Sequence, residues 1–187
     1  VLVAGSGEVA SRKARLLLDA GAAIEFAAPA FTPDFAAEWT GQAALTQATP
    51  ETAPIAGAAL VFVAVEDLGE AAAWARAARA AGVPVNAVDR PALSDFATPS
   101  IVDRGDVVVA ISTGGAAPVL GRRLREKIEA LLPARLAALA AVAGSLRETV
   151  AARVAPSARR AFWERFFDGP AAAQALAGDD AGARRAA

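Results

Sequence analysis

The chain has 187 residues, of which 55% are hydrophobic and 21% are charged, so it is long enough and apolar enough to bury a core. It contains no Cys, His, Met or Tyr, which excludes disulfides, zinc sites of the usual kind, and Ser–His or cysteine nucleophilic catalysis. Acid–base chemistry must therefore use Asp, Glu, Lys or hydroxyl groups. No apolar run reaches the roughly 18–20 residues that span a bilayer, so we expect no membrane partner.

Charge is distributed unevenly, although the net charge is only −1. Residues 1–100 carry six basic and eleven acidic side chains, whereas residues 101–187 carry thirteen and nine. A basic half is typical either of an anion-binding surface or, more commonly, of solvated helix faces. The basic half lacks interleaved aromatic residues and any recognisable nucleic-acid-reading module, so we expect no nucleic-acid partner.

Strands alternate with helices along the first part of the chain. Helices are predicted over 8–20 and 70–81, and each is followed by a glycine that suits a helix C-terminus. The predicted strands, all short and apolar, are 1–4, 23–28, 60–65, 83–88 and 107–111. This alternation predicts an α/β fold, with a Rossmann-like parallel sheet that is covered by helices on both faces.

The pattern becomes helical after Gly114 and Gly115, and we expect no strand after residue 111. Helices are predicted over 118–132, 134–155 and 159–167, and apolar side chains lie along one face of the first. Four aromatic residues of the last helix favour core or dimer contacts over a cofactor site: Phe162, Trp163, Phe166 and Phe167. The small and polar segment 178–187 is predicted to be a linker or a frayed end.

The segment Gly5-Ser6-Gly7-Glu8-Val9-Ala10 fits the pattern G-x-G-x-x-A between a predicted strand and a predicted helix. In such a turn the first Gly permits a tight bend, the second lets a pyrophosphate approach the backbone, and the Ala allows close packing of helix on strand. The helix N-terminus supplies N–H donors and a partial positive charge. We therefore predict a dinucleotide-binding turn, with Gly5, Gly7 and Ala10 in these three roles.

The second predicted strand lacks the acidic residue that commonly binds a ribose at its tip, because it ends in Ala27-Ala28-Pro29. The choice of cofactor still follows from charge. No Lys or Arg occurs between Arg15 and Arg76, so a 2′-phosphate would find no cation at that tip, and NAD is favoured over NADP. The exception to consider is a cation on the first helix, Arg12 or Lys13, folding over the cofactor.

A lone carboxylate, Asp89, follows the predicted strand that ends in Asn86-Ala87-Val88. Asp is common in turns, so a purely structural role is one interpretation. In an open parallel sheet, however, ligands bind beyond the carboxyl ends of the strands, which is where Asp89 is expected. A carboxylate there can accept a proton when a hydride leaves a substrate. Asp89 is therefore our candidate catalytic residue.

Two polar features lie further along the chain. The segment Ser112-Thr113-Gly114-Gly115 precedes a predicted helix start at Pro118, which is typical of an anion site or of an ordinary helix cap. Nearby arginines, Arg122, Arg123 and Arg125, are candidates to support anion binding there. Asp103 and Arg104 are interpreted as a structural ion pair at a strand entry.

The motifs together resemble the N-terminal module of siroheme synthases, the bifunctional precorrin-2 dehydrogenase and sirohydrochlorin ferrochelatase family. The resemblance covers essentially the whole chain. Its longest motif is 110–120, which is similar to the family pattern A-[IV]-S-[ST]-G-G-x-[SA]-P-V-L. The other similarities are V-A-x-R-K after the Gly-rich turn, N-x-V-D at 86–89, P-[SA]-I-[VI]-D-R at 99–104 and, more loosely, a dimerisation motif at 160–164. The departures are Ser6 where Gly is common, Ala87 where Val is common, and Gly121 where Ala is common.

This resemblance implies that NAD accepts a hydride from precorrin-2 to give sirohydrochlorin, and that ferrous iron, a substrate, is then inserted to give siroheme. It implies a role for Asp89 in both steps, with a transient contact to the metal. Cofactor contacts fall on Glu8, Val9, Pro29 and Ala30. Contacts to the tetrapyrrole, which carries many carboxylates, fall on Ser112, Thr113, Gly114 and Gly115.

The resemblance also implies an organisation. It divides the chain into a Rossmann-like NAD-binding domain (1–103), a central substrate-cleft segment (104–132), and a helical dimerisation region with its tail (133–187). It implies a cytoplasmic homodimer that, in many bacteria, is fused to a downstream uroporphyrinogen methyltransferase domain. The chain opens on a strand without an initiator Met, so we expect its natural N-terminus to lie upstream.

Two alternatives stay open at this point. One is a precorrin-2 dehydrogenase without chelatase activity. The other is a non-catalytic NAD-sensing module that binds no tetrapyrrole and signals through its helical half.

Overall fold

The computed structural model describes residues 1–187 and contains two compact units, Val1–Thr98 (the first unit) and Pro99–Ala187 (the second unit). In the first unit strands alternate with helices. The strands are β1 Leu2–Ala4, β2 Glu25–Ala28, β3 Ala44–Gln47, β4 Val61–Val63 and β5 Val85–Ala87, and the helices are α1 Glu8–Asp19, α2 Pro33–Trp39 and α3 Leu68–Ala80.

The five strands form one parallel sheet in the order β3-β2-β1-β4-β5. The chain runs outward from β1 in one direction to β2 and β3, and in the other direction to β4 and β5. Ala4 at the end of β1 pairs with Ala27 and Val63, and Val63 pairs with Ala87. The loops after these four strands therefore leave from one edge of the sheet. The predicted Rossmann-like parallel sheet is confirmed.

Large aromatic side chains cover both faces of this sheet. Trp74 of α3 is 0% exposed on one face. On the other face, Phe26 of β2 packs against Phe35 and Trp39 of α2, with ring centroids 4.9 and 4.8 Å apart. Because strand side chains alternate between faces, short apolar strands buried on both sides are the expected sequence pattern.

The sequence prediction missed α2 and β3. Helix α2 has only seven residues, so its apolar face of Phe35 and Trp39 is too short to show a period. The Thr32 hydroxyl caps it by accepting a hydrogen bond from the Phe35 N–H at 3.3 Å. Strand β3 is an edge strand with no buried residue, so it lacks the apolar run that marks the other strands.

The second unit begins with an antiparallel hairpin of β6 Ser100–Arg104 and β7 Val107–Ile111. The predicted strand over 107–111 is confirmed, but its assignment to the parallel sheet is wrong. Only two residues separate β6 from β7, whereas a parallel neighbour needs a long crossover connection. Asp103 closes this short turn, because its Oδ1 accepts a hydrogen bond from the Gly105 N–H at 2.7 Å.

The predicted ion pair between Asp103 and Arg104 is also wrong. The Arg104 guanidinium instead pairs with Glu129, at 3.4 Å. Neighbouring residues of a strand point to opposite faces, so the two side chains diverge and each finds a different partner.

Five helices follow the hairpin, and no strand occurs after residue 111, as predicted. They are α4 Pro118–Leu131, α5 Leu136–Arg153, α6 Arg159–Asp168, α7 Pro170–Ala177 and α8 Asp180–Ala186. Their core includes Phe166, which is 4% exposed, with Phe162 and Trp163 packed beside it. The expectation of a core role is confirmed for these three aromatic residues, whereas Phe167 is 49% exposed.

The prediction of a linker or frayed end over 178–187 is wrong. Helix α8 is capped by Asp179, which accepts a hydrogen bond from the Gly182 N–H at 2.7 Å. Ala183 is fully buried in the core of the second unit, and Arg135 bonds to the Ala175 carbonyl and to the Asp180 carboxylate. Small residues resemble a linker in composition, but they also let helices approach closely.

No single helix is both long enough and apolar enough to cross a membrane; α4 and α5 meet that criterion only when taken together across a 67° bend. The predicted apolar face of α4 is exposed, with Leu120 at 51%, Leu124 at 37% and Leu131 at 80%.

Candidate functional site

A groove of about 390 Å³ opens at the edge of the first unit's sheet where the strand order reverses. Its floor is the Gly-rich turn after β1, and its walls are the ends of β2 and β4 with the loops that follow them. Reversal points of this kind are where open α/β sheets bind ligands. Of the predicted cofactor residues, the groove is lined by Gly5, Gly7, Glu8, Val9 and Pro29.

Two predicted cofactor residues do not line this groove. Ala10 of α1 is 0% exposed and packs into the core of the first unit, in agreement with a packing role for the last position of the motif. Ala30 is exposed beyond Pro29 and contributes no surface to the groove.

The two glycines of the turn have different constraints. Gly5 has φ +122°, and a Cβ atom there would lie 2.6 Å from the Ala64 carbonyl oxygen, so only glycine fits between β1 and β4. Gly7 has φ −108°, and a Cβ atom there would meet no atom within 4 Å. The protein itself therefore requires Gly5, whereas the space above Gly7 is left open.

Helix α1 presents free donors to the groove. Its first backbone hydrogen bond runs from the Ser11 N–H to the Gly7 carbonyl, and no side chain caps the helix. The N–H groups of Glu8, Val9 and Ala10 are therefore unpaired at the positive end of the helix dipole. Together with the open space above Gly7, this arrangement fits the pyrophosphate of a dinucleotide.

The groove is acidic. Three carboxylates line it, from Glu8, Glu66 and Glu70, and no Lys or Arg does. Neither Arg12 nor Lys13 lines the groove, so the cation considered as an exception does not face it. Glu66 and Glu70 were missed by the sequence analysis; the available signal was their place after the buried strand, Glu66 in the loop and Glu70 in the first turn of the next helix.

Asp89 lies two residues beyond the end of β5, at the same sheet edge as the Gly-rich turn. It is exposed, and it is the only non-glycine residue with positive φ, at +58°. Hydrogen bonds on either side hold this turn, from the Val88 N–H to the Val63 carbonyl at 2.9 Å and from the Arg90 N–H to the Ala87 carbonyl at 3.0 Å. The carboxylate itself has no ion-pair or hydrogen-bond partner and is free for a ligand.

The segment after Asp89 folds back along β5 and supports it. The buried Asn86 side chain donates to the Phe96 carbonyl at 2.7 Å, and the Ser94 hydroxyl accepts from the Ala87 N–H at 3.0 Å. Asp95 accepts from the Val85 N–H at 3.1 Å and pairs with Arg79 at 2.8 Å. The Arg79 side chain lowers the pKa of the Asp95 carboxyl, and the Val85 N–H adds to this effect.

Arg90 links the Asp89 turn to the wall of the groove. Its guanidinium donates to the carbonyls of Val65 at 3.0 Å, of Asp67 at 3.4 Å, and of Glu66. These carbonyls belong to the β4–α3 loop, which lines the groove through Val65 and Glu66. A single side chain thus holds together the two loops that flank the site, a role that no sequence motif indicates.

The Ser112–Gly115 turn lies in the second unit, between β7 and α4. The Ser112 hydroxyl accepts from the Gly114 N–H at 3.2 Å, and the Thr113 hydroxyl accepts from the Ala117 N–H at 3.2 Å. Two of the predicted free N–H groups are therefore occupied by hydroxyl oxygens. Arg125 is also occupied, since it donates to the Ile101 carbonyl and pairs with Glu129 at 2.6 Å. Arg122 and Arg123 are exposed and form no ion pair.

Three family models match consecutive parts of the chain. Residues 1–100, more than half of it, match a family described as "Putative NAD(P)-binding". Residues 104–131 match "Sirohaem biosynthesis protein central", and residues 135–187 match "Sirohaem synthase dimerisation region".

Curated relatives are similar over the whole chain. Siroheme synthase 1 of Aeromonas salmonicida is 50% identical over 190 residues, which cover 100% of this chain and 41% of that protein. Siroheme synthase of Methylococcus capsulatus is 48% identical over 179 residues, which cover 95% of this chain and 38% of that protein. The chain thus spans about two fifths of the length of these relatives.

A solved structure described as "SirC, precorrin-2 dehydrogenase" matches the fold with a TM-score of 0.68 and 21% sequence identity, covering 99% of this chain and 92% of that chain. The family matches agree with the motifs of the Gly-rich turn, of 86–89 and of 110–120, and they extend the agreement to the last helix. The chain therefore belongs to the family of siroheme synthase N-terminal modules, and its first hundred residues belong to the NAD(P)-binding family.

Proposed function

We propose that this chain oxidises precorrin-2 to sirohydrochlorin with NAD as the hydride acceptor. The observation that carries the proposal is the presence of two features on one sheet edge. A groove fitted to a dinucleotide lies at β1 and β4, and a free carboxylate, Asp89, follows the adjacent strand β5. The NAD(P)-binding family match and the names of the relatives support it.

The chemistry divides between cofactor and protein. NAD, when bound, supplies the nicotinamide that takes a hydride, with its two electrons, from the macrocycle. The oxidation also releases a proton, which requires a base. Asp89 is exposed, unpaired and held in a fixed turn, so one of its carboxylate oxygens can receive that proton. Gly5 permits the tight turn, while the open space at Gly7 and the unpaired N–H groups of Glu8 and Val9 would hold the pyrophosphate.

We propose NAD over NADP as the cofactor. Glu8, Glu66 and Glu70 line the groove, and no Lys or Arg lines it; the one cation paired with any of the three is Arg15, which lies 3.6 Å from the Glu8 carboxylate outside the groove. A 2′-phosphate would add negative charge to an acidic surface, whereas a ribose hydroxyl can donate hydrogen bonds to carboxylates.

We assign substrate binding to Ser112, Thr113, Gly114 and Gly115. The two hydroxyls order the turn, and the N–H groups of Gly115, Val119 and Leu120 have no partner within the chain. Unpaired N–H groups of this kind can donate hydrogen bonds to carboxylates, of which the tetrapyrrole carries several.

Metal insertion is the second step that we propose, with ferrous iron as a substrate. The curated relatives are named siroheme synthases, and this name supports the step. No group of three or more acidic side chains could hold a metal ion in this chain. The protein's part would therefore be removal of pyrrole protons by Asp89 during a transient contact, rather than a resident metal site.

The proposed assembly is a homodimer through the second unit. Support comes from the match of 135–187 to a dimerisation region and from the exposure of Phe167. We also propose 1–103, 104–132 and 133–187 as the functional divisions; the three family models have similar bounds. The cytoplasmic location and the fusion to a methyltransferase stay predictions.

The test measures NADH formation by absorbance when precorrin-2 is supplied, with wild type and Asp89→Asn. Asn tolerates positive φ, so the variant should keep its fold and its NAD affinity. We expect it to lose at least about 100-fold in rate, as for removal of a general base. Asp19→Asn, an equal charge change at an exposed site on α1, should leave the rate unchanged.

Full activity of Asp89→Asn would remove Asp89 from the mechanism. NAD binding without any precorrin-2-dependent NADH formation would instead favour the NAD-sensing alternative. Supplying sirohydrochlorin with ferrous or cobalt ions and following its absorbance separates a dehydrogenase with chelatase activity from one without.

A further inference from the structure

Lys13 has an unusual setting on α1. It is half-buried, whereas the chain's only other lysine, Lys127, is exposed on α4. The Lys13 Nζ donates to the Thr98 hydroxyl at 3.2 Å and lies 5.5 Å from the ring centroid of the buried Phe62. It forms no ion pair with any carboxylate of the chain. A cation over an aromatic face with a single neutral hydrogen-bond partner is only partly compensated.

The electrostatics of this position indicate that the Lys13 ammonium lacks a paired anion. Burial lowers the pKa of Lys13 from its ordinary value; the negative charge of Asp89 acts in the opposite direction, and Arg12 adds to the lowering. The charge of Asp89 thus reaches Lys13 without forming a direct pair. An anion placed beside Lys13 would replace the solvation that burial has removed.

The phosphates of the cofactor are not placed to supply the anion beside Lys13. Lys13 lies beyond the first turn of α1 and contributes no surface to the groove at Gly5, Gly7 and Glu8. The proximity of Asp89 points instead to the substrate side. A free carboxylate at a site for a polyanionic tetrapyrrole repels its own ligand unless a cation lies nearby.

We propose that the Lys13 ammonium binds a carboxylate of the tetrapyrrole beside Asp89 and thereby offsets the repulsion between Asp89 and the substrate. This inference rests on the proposed function. Thr98 orients the ammonium through its hydroxyl, and Phe62 limits its hydration. Lys13 is therefore a substrate-binding residue of the first unit, supplied by the helix that also carries the nucleotide turn.

Binding of sirohydrochlorin, titrated by its absorbance, tests the proposal. Lys13→Met keeps the apolar stem and removes the charge, and we expect its Kd to rise about tenfold or more, as for loss of a charge-assisted hydrogen bond. Lys13→Arg should recover most of the affinity. Lys127→Met, the matched change at the exposed lysine, should have the wild-type Kd. The KM for NAD should stay unchanged in all three variants.

A second measurement observes Lys13 in the wild-type protein and needs a variant only to assign the signals. Reductive ¹³C-methylation labels the two lysines and the N-terminus, and keeps their positive charge. Saturating sirohydrochlorin should shift the methyl signal of Lys13 and leave that of Lys127 in place. The signals are assigned with Lys127→Met.

The outcomes separate this inference from the proposed function. An unmoved Lys13 signal, or a wild-type Kd in Lys13→Met, overturns the inference while precorrin-2 oxidation stands. A raised KM for NAD with an unchanged tetrapyrrole Kd overturns it in favour of a cofactor contact. A wild-type protein that binds no sirohydrochlorin and forms no NADH overturns both.

Discussion

The two units differ in how completely they bury their own apolar side chains. In the first unit, Trp39, Trp74 and Phe26 are almost fully buried, and the exposed large apolar residues are Leu16 and Leu68. The second unit exposes six, on its hairpin, α4 and α6: Val108, Val119, Leu120, Leu124, Leu131 and Phe167. A monomer seldom leaves so much apolar surface free in so small a unit.

This difference assigns stability of the fold and association with a second copy to different units. The first unit buries its core on both faces of the sheet and has positive-φ backbone at Gly5 and Asp89, beside the proposed site. The second unit keeps its apolar surface outside, which suits association with a second copy. Stability in the first unit should therefore respond to core substitutions, whereas substitutions on the second unit's surface should alter association.

The strongest test of this comparison pairs Trp74→Ala with Phe167→Ala. Trp74 is 0% exposed, so its truncation should destabilise the first unit by about 3–5 kcal/mol. Phe167 is 49% exposed, so Phe167→Ala should leave the free energy of unfolding of the monomer nearly unchanged and weaken the dimer. Urea unfolding and sedimentation equilibrium measure the two effects. Equal destabilisation by both variants would contradict the comparison.

A finer test lies within the nucleotide turn. Gly5→Ala would place Cβ 2.6 Å from the Ala64 carbonyl oxygen at positive φ, and should destabilise the first unit by roughly 1–3 kcal/mol. Gly7→Ala finds open space and should leave the free protein's stability unchanged. It should nevertheless weaken NAD binding, measured by calorimetry, because the added methyl group occupies the space offered to the pyrophosphate. An unchanged NAD affinity in Gly7→Ala would place the cofactor elsewhere.

The Arg90 link predicts a smaller and mixed effect. Arg90→Ala leaves the carbonyls of Val65, Glu66 and Asp67 without their donor, so both the groove wall and the Asp89 turn should loosen. We expect a several-fold rise in the KM for NAD together with a several-fold fall in kcat. Arg90→Lys restores the positive charge but not the several N–H donors of the planar guanidinium, so it should recover only part of the lost KM and kcat. A change in kcat alone would show that Arg90 acts on Asp89 and not on the groove.

The smallest effect is expected at Asp95 and depends on pH. Its folded-state pKa is lowered, first by Arg79 and then by the Val85 N–H, so its stabilising contribution is present above the unfolded-state pKa. That contribution disappears as the pH falls through the lower folded-state pKa. Asp95→Asn should therefore be less stable than wild type near neutral pH, and the gap should close below about pH 4. Urea unfolding at several pH values measures it, and a gap that widens in acid would contradict the assignment.

The sequence predicted the elements that carry strong periodic or apolar patterns. The buried strands around Val61–Val63 and Val85–Ala87 and the helices at Leu68–Ala80 and Leu136–Arg153 were found within a few residues. It failed for α2, β3, β6, α7 and α8, which are short or built from small residues. The hairpin was misassigned because an apolar strand looks the same in a parallel and in an antiparallel sheet.

Only those parts of the site that belong to a local sequence motif could be predicted. The roles of Gly5 and Gly7 and the position of Asp89 follow from motifs that sit at strand ends. The Arg90 link and the setting of Lys13 depend on side chains 23 to 85 residues apart in sequence, which periodicity cannot bring together. Glu66 and Glu70, two of the three glutamates that line the groove, follow a predicted strand but belong to no motif that marks them.

The left-handed backbone at Asp89 limits how far the protein can be made heat-resistant. Glycine would relieve strain on the order of 1–2 kcal/mol at that position, so a selection for thermal stability alone rewards its introduction. The proposed base would be lost in the same step. A library designed for thermostability should therefore keep Asp89 unchanged. Otherwise its most heat-resistant members would be variants that no longer catalyse the reaction.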